Sequence, residues 1–217
     1  MDLIPPPLLV RCRLPIPRID TLPHASGELL RLPERCRIAL PSALGKPCDW
    51  ADLRGAWNPK GLGFRLTVTG RKLPTMSRPD APTQADSLQL WIDTRETQNV
   101  HRATRYCHHL CILPTGGGDA GQDAIVIGQP VARARDDAKQ HDSDEYLCRS
   151  RLLKTGYELD VWLPAATLTG YDPAQQPRLG FCASINDAEH GRRTLGVGPE
   201  LPSTPTLLWH SLVLTDG

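Results

Sequence analysis

The chain has 217 residues, 40% of them apolar, with 25 Lys and Arg against 24 Asp and Glu. That length and apolar share build one domain with extensions, and the near-zero charge balance excludes a chain-wide field for nucleic acid or an anionic membrane. Twenty-one Pro and 18 Gly, with no long segment of helical period, exclude a helical bundle and point to short strands joined by turns, hence an all-β sandwich or barrel.

The opening Met1-Asp-Leu-Ile-Pro-Pro-Pro lacks a basic n-region, an apolar core and a cleavage site, so no secretory signal is expected. No apolar run approaches the roughly 20 residues that cross a bilayer. Seven Cys, at 12, 36, 48, 107, 111, 148 and 182, are odd in number and lack paired CxxC spacing. They suit free, partly buried thiols in a reducing, cytoplasmic setting.

Residues 1–49 read as a Pro-rich N-terminal arm, laid on the surface or used as an interface with a protein partner. Within it, Leu9–Leu14 and Cys36–Leu40 alternate briefly and are expected as edge strands. In Gly63–Gly70, Phe64, Leu66 and Val68 share one face and Arg65, Thr67 and Thr69 the other, the period of a strand. Lys72–Ala85 is a loop. It leads into Asp86-Ser-Leu-Gln-Leu-Trp-Ile-Asp93, where Leu88, Leu90 and Ile92 alternate with Gln89 and Trp91. This strand is expected in the middle of an antiparallel sheet, with Val100–Leu113 returning beside it after a polar turn. Thr115–Gly121 is a Gly-rich loop tip, lacking the Lys-Ser/Thr or GxGxxG pattern of a phosphate cradle. Arg133–Glu145 is a solvated connection. Tyr146–Leu153 and Tyr157–Leu163 form a second hairpin about Lys154-Thr-Gly156, Pro164–Tyr171 a short turn, Leu179–Asp187 a buried strand and Thr206–Leu214 the closing strand.

The chemistry-bearing stretch is Val100-His-Arg-Ala-Thr-Arg-Tyr-Cys-His-His-Leu-Cys111. As a regular strand it places His101, Arg105, Cys107, His109 and Cys111 on one face. A single strand spaces such ligands about 7 Å apart and cannot close a metal site without another segment, and Arg105 repels a cation. The row fits better as hydrogen-bond donors for a polyol. Haem held by Met76 with His101 or His109 is a weaker alternative. No GxSxG, no HExxH and no placed carboxylate pair point to catalysis, and no cofactor or metal is expected.

Asp86–Asp93, Gly156–Pro164, Leu179–Ala188 and Leu207–Leu214 resemble, in type and order, carbohydrate-binding module family 9, within the DOMON-like group. The resemblance spans roughly residues 50–214, within one domain, 50–217, behind the arm. It implies a two-sheet antiparallel β-sandwich of immunoglobulin or jelly-roll type, a non-catalytic role and a saccharide or polyol ligand. The family pattern has a Trp shortly before the Asp-Ser strand and a Glu fourth in it, where this chain has Thr83 and Gln89. A second stacking Trp follows the family's Asn-Asp loop, whereas Ala188–Pro202 here contains no Phe, Tyr or Trp. Arg105 matches the family's sugar-contacting Arg, and Asn186 and Asp187 match its loop. The candidate ligand face therefore comprises Gln89, Trp91, His101, Arg105, His109 and Asn186. Trp91 is read as a flat platform or as a ring packed beneath the N-terminal arm. The rival reading is an intracellular structural or protein-interaction domain that has lost the sugar site.

Overall fold

The computed structural model describes residues 11–39, 48–97, 102–195 and 209–216. Eleven strands among these residues form two facing sheets. The larger runs in the order β1 (Arg13–Pro17), β11 (His210–Thr215), β9 (Arg178–Asp187), β4 (Ser87–Asp93), β5 (Cys107–Gly117) and β6 (Asp123–Gln129), with β10 (Gly191–Thr194) paired to the end of β9. The smaller runs β2 (Ala51–Asn58), β3 (Gly61–Thr69), β8 (Gly156–Pro164) and β7 (Leu147–Leu153). All pairings are antiparallel except β1 with β11, which run parallel from Arg13 opposite Ser211.

The two-residue period of these strands assigns the core. Phe64, Leu66 and Val68 of β3 and Leu159, Val161 and Leu163 of β8 face Leu88, Leu90 and Ile92 of β4 and Phe181, Ala183 and Ile185 of β9 in one buried cluster. The Phe64 and Phe181 rings stack at 5.5 Å. Each fully buried side chain of this size contributes about 1.5–3 kcal/mol of transfer free energy, which sets the register firmly, because a one-residue slip would turn every such residue to the other face.

The anchor hairpin is present, with β4 in mid-sheet between β9 and β5 and Leu90 opposite Leu110. Its partner strand is shorter at the front than expected. The amide of Cys107 bonds back to Thr104 O at 2.8 Å, and that tight turn keeps 102–106 out of the ladder; Val100 and His101 lie outside the described residues. At the other end β5 continues to Gly117 through a register irregularity, so the Gly-rich tip narrows to the turn before β6. Strands β2, β6 and β10 are additions to the sequence reading.

The described part of the N-terminal arm lies against both sheets. β1 is an edge strand, with Leu14 and Ile16 in the main core. The coil beyond it sends Leu22, Leu29, Leu30 and Leu32 onto the outer face of the smaller sheet, over Ala56 and Trp162. There Arg65 makes a two-pronged ion pair with Asp160, at 2.6 and 2.8 Å, and Leu30 N donates to the same carboxylate. The edge strand expected over Cys36–Leu40 is instead a single 3-10 turn, Glu34–Cys36, followed by one bridge from Arg37 to Arg54. Pro33 and the turn it opens leave too few free amides for a ladder. No helix among the described residues is long and apolar enough to cross a membrane.

Candidate functional site

The outer face of the larger sheet carries the candidate row. Register places Gln89 between Cys111 and Ser184, Trp91 between His109 and Cys182, and Asp93 between Cys107 and Gly180. Cross-strand neighbours on one face lie within contact distance, and the Trp91 and His109 rings stack at 4.3 Å and 16°. The sequence thus brings these side chains together as expected, but not at a surface. Gln89, Trp91 and His109 are only 4%, 5% and 8% exposed.

What covers them is local. Ala103, Val131 and Ala134 pack with Trp209 over Trp91, Cys107 and Cys182. A bond from Arg135 N to Ala103 O, 2.8 Å, ties the two covering loops together. The cover on Trp91 is therefore the β4–β5 and β6–β7 connections, whereas the N-terminal arm packs on Trp162. At the other end the 3-10 turn Pro82–Gln84 roofs the start of β4. Gln89 donates its amide to Thr83 O at 3.4 Å, and Asn186 donates to Ala85 O at 2.6 Å. Asn186 and Thr83 remain half-exposed there.

Burial also sets the protonation of the row. Desolvation lowers the His109 pKa to about 4, opposed by its bond to the Pro130 carbonyl, so the imidazole is neutral at pH 7. The Cys107 and Cys111 thiols are pushed up to about 12 by the same burial and stay protonated. Cys111 Sγ approaches His109 Nε2 at 3.8 Å. Among the described residues no three His, Cys, Asp or Glu side chains converge as metal ligands. Of the residues named for haem, Met76 bonds through its amide to Asp86 at the start of β4, and His109 lies flat on Trp91 in mid-strand.

Arg105 is not a strand residue. It is exposed in the turn before β5, with its guanidinium 5.3 Å above the Tyr106 ring and donating to Tyr106 OH at 3.3 Å. Arg95 lies over the same ring at 5.0 Å. The bond from Arg105 lowers the Tyr106 phenol pKa. His101 lies outside the described residues. Of the six candidates, three form one dry row, Asn186 stands at its half-open end, and Arg105 projects at the opposite end.

Sequence reasoning missed the group that fixes the half-open end. Arg71, only 2% exposed, pairs with Asp86 at 2.8 Å and with Asp187, and its guanidinium lies 5.7 Å from the Tyr157 ring centre. Asp86 precedes β4 and accepts from Met76 N and Ala188 N; Asp187 ends β9 and accepts from Glu189 N and His190 N. The neighbours Ser87 and Asn186 are opposite in the ladder, so one arginine locks two adjacent strand ends. The signal was the pair of Asp residues flanking two apolar strands, with Arg71 following the clearest strand. A second unforeseen feature is the stacking of His190 on Trp50 at 5.0 Å and 20°, both half-exposed, just beyond the Asn186–Asp187 loop.

This architecture has solved counterparts. A carbohydrate binding module family 9 from Caldicellulosiruptor kristjanssonii in complex with cellotriose matches with a TM-score of 0.61 at 14% identity, over 95% of this chain and 95% of that one. A module of the same family and organism in complex with glucose matches with a TM-score of 0.60 at 12% identity, over 95% and 97%. The chain has the carbohydrate-binding module family 9 fold. The likeness takes in most of the N-terminal segment as well as the sandwich that carries the sequence resemblance. No family model matches the sequence, and no curated protein matches it significantly.

Proposed function

We propose that the protein is a non-catalytic saccharide-binding domain that takes a short gluco-oligosaccharide or related polyol at the half-open end of the larger sheet. The observation that supports this reading is the family 9 fold shared along nearly the whole chain with modules solved holding cellotriose and glucose. The ligand-facing groups are Asn186 and the Pro82–Gln84 turn, with Gln89 beneath Thr83. Trp91 and His109 act as the dry floor that holds this end flat, and Arg105 belongs to the opposite end of the face. Amide groups at a rim orient hydroxyls, but the Trp91 ring in this row is buried and offers no stacking face, so affinity is weak, on the order of millimolar. Seven unpaired thiols support a reducing, cytoplasmic setting.

Calorimetric titration with glucose, cellobiose and cellotriose tests the reading, with Asn186→Ala alongside. Saturable heat that disappears in the variant is the expected result. Absence of heat with every sugar at tens of millimolar overturns it.

A second reading, a protein-interaction domain, has its own support. Leu147 and Leu152 are 45% and 59% exposed on β7, an edge strand of the smaller sheet. A partner for the N-terminal arm competes with the sandwich itself, because residues 22–32 already cover Trp162.

A further inference from the structure

The opposite end of the same sheet face holds an open groove of about 550 Å³, lined by Arg11, Arg13, Arg95, Arg178, Glu96 and Ser211 among others. The whole chain is nearly neutral, yet four guanidiniums surround one carboxylate here. The groove is built by several elements. Arg13 and Ser211 stand opposite each other on β1 and β11, and Arg178 lies two residues along, opposite Val213. Arg95 and Glu96 come from the turn that ends β4. Asp93 shapes that turn, accepting from Arg95 N at 2.9 Å and from Thr97 N and Oγ1 at 2.7 and 2.6 Å, while Glu96 adopts a left-handed φ of 49°.

The carboxylate does not neutralise the groove. Glu96 accepts from Arg178 Nε at 3.1 Å and from the Ser211 hydroxyl, which holds it against the β11 side. Among the described residues neither Arg13 nor Arg95 has a carboxylate partner within ion-pair distance, and Arg95 rests on the Tyr106 ring. Both side chains are exposed. A guanidinium held over an aromatic ring and bonded to its phenol oxygen keeps further N–H donors, an arrangement suited to recognition of an oxyanion. A volume of 550 Å³ exceeds what a bare anion fills and accommodates one attached sugar-sized body.

We infer that this groove is a second binding site, for a tetrahedral oxyanion, phosphate or sulfate, either free or as the ester of a small polyhydroxy ligand. The inference is independent of neutral-sugar binding at the Asn186 end.

The test is titration of the full chain at fixed low ionic strength with inorganic phosphate, inorganic sulfate, glucose 6-phosphate and glucose. The Arg13→Gln/Arg95→Gln double variant serves as comparison, and its thermal midpoint reports folding. Phosphate, sulfate or the sugar phosphate binds, and affinity falls tenfold or more in the folded double variant while any glucose binding is unchanged. Tighter binding of glucose 6-phosphate than of the inorganic anions identifies an ester ligand; equal binding identifies the free anion. Failure of all three anions to bind, or equal binding by the double variant, overturns the inference.

Discussion

The two ends of one sheet face are treated oppositely. Around Gln89, Trp91 and His109 the polar and aromatic groups are roofed by three connections and titrate as a dry interior. Around Arg13, Arg95 and Arg178 the same face lies open, with guanidiniums held outward by a turn and a ring. The difference does not lie in residue type, since both ends carry groups able to bind a polar ligand. It lies in which connections fold back over the sheet, and those are coil segments whose path depends on a few backbone bonds, such as Arg135 N to Ala103 O.

Removing the Arg71 lock at the Asn186 end gives the largest effect. Arg71→Ala leaves Asp86 and Asp187 buried without their cation, and urea unfolding should show a loss of about 3–5 kcal/mol. Trp91→Ala should cost about 3 kcal/mol, toward the lower end for an aromatic truncation, because the coil over the ring can partly collapse into the void. A loss under about 1 kcal/mol would mean that the row is open in solution.

The pH dependence follows from His109. Its folded pKa of about 4 lies below the unfolded value near 6.5, so its full stabilising contribution is present above pH 6.5 and is lost as pH falls toward 4. The contribution is on the order of 2–3 kcal/mol, and His108, held near 4 by burial on the opposite face, acts in the same direction. Denaturation midpoints measured from pH 7.5 to 4 should fall in that window, and the fall should shrink in His109→Gln. The smallest effect belongs to the open end: Arg105→Ala should change stability by less than about 0.5 kcal/mol, since its contacts are an exposed ring and a phenol oxygen.

Much of the sandwich was legible because its core strands alternate cleanly. Phe64 to Val68, Leu88 to Ile92 and Leu159 to Leu163 each declare a buried side, and the pairing of β4 with β5 follows from the polar turn and second apolar run. Alternation also placed Trp91, His109 and Cys111 on one face correctly. It says nothing about what lies above a face, which is why a row read as a ligand surface is instead an interior. Arg105 was misplaced for a related reason: extending the period backwards from Cys107 ignores the turn closed by Thr104, a bond that leaves no mark in the hydrophobic pattern. The Arg71 pairing joins residues far apart in sequence, and its two carboxylates read locally only as turn-capping groups.

The central claim is that saccharide meets the half-open end at Asn186 and not the Trp91 ring. A ¹⁵N–¹H correlation spectrum recorded during titration with cellobiose tests it most directly. Saturating shifts are expected at the Asn186 side-chain amide and the backbone of Thr83–Ala85, with the Trp91 indole signal unmoved. No shifts at tens of millimolar cellobiose, or shifts centred on the Trp91 indole, would contradict it.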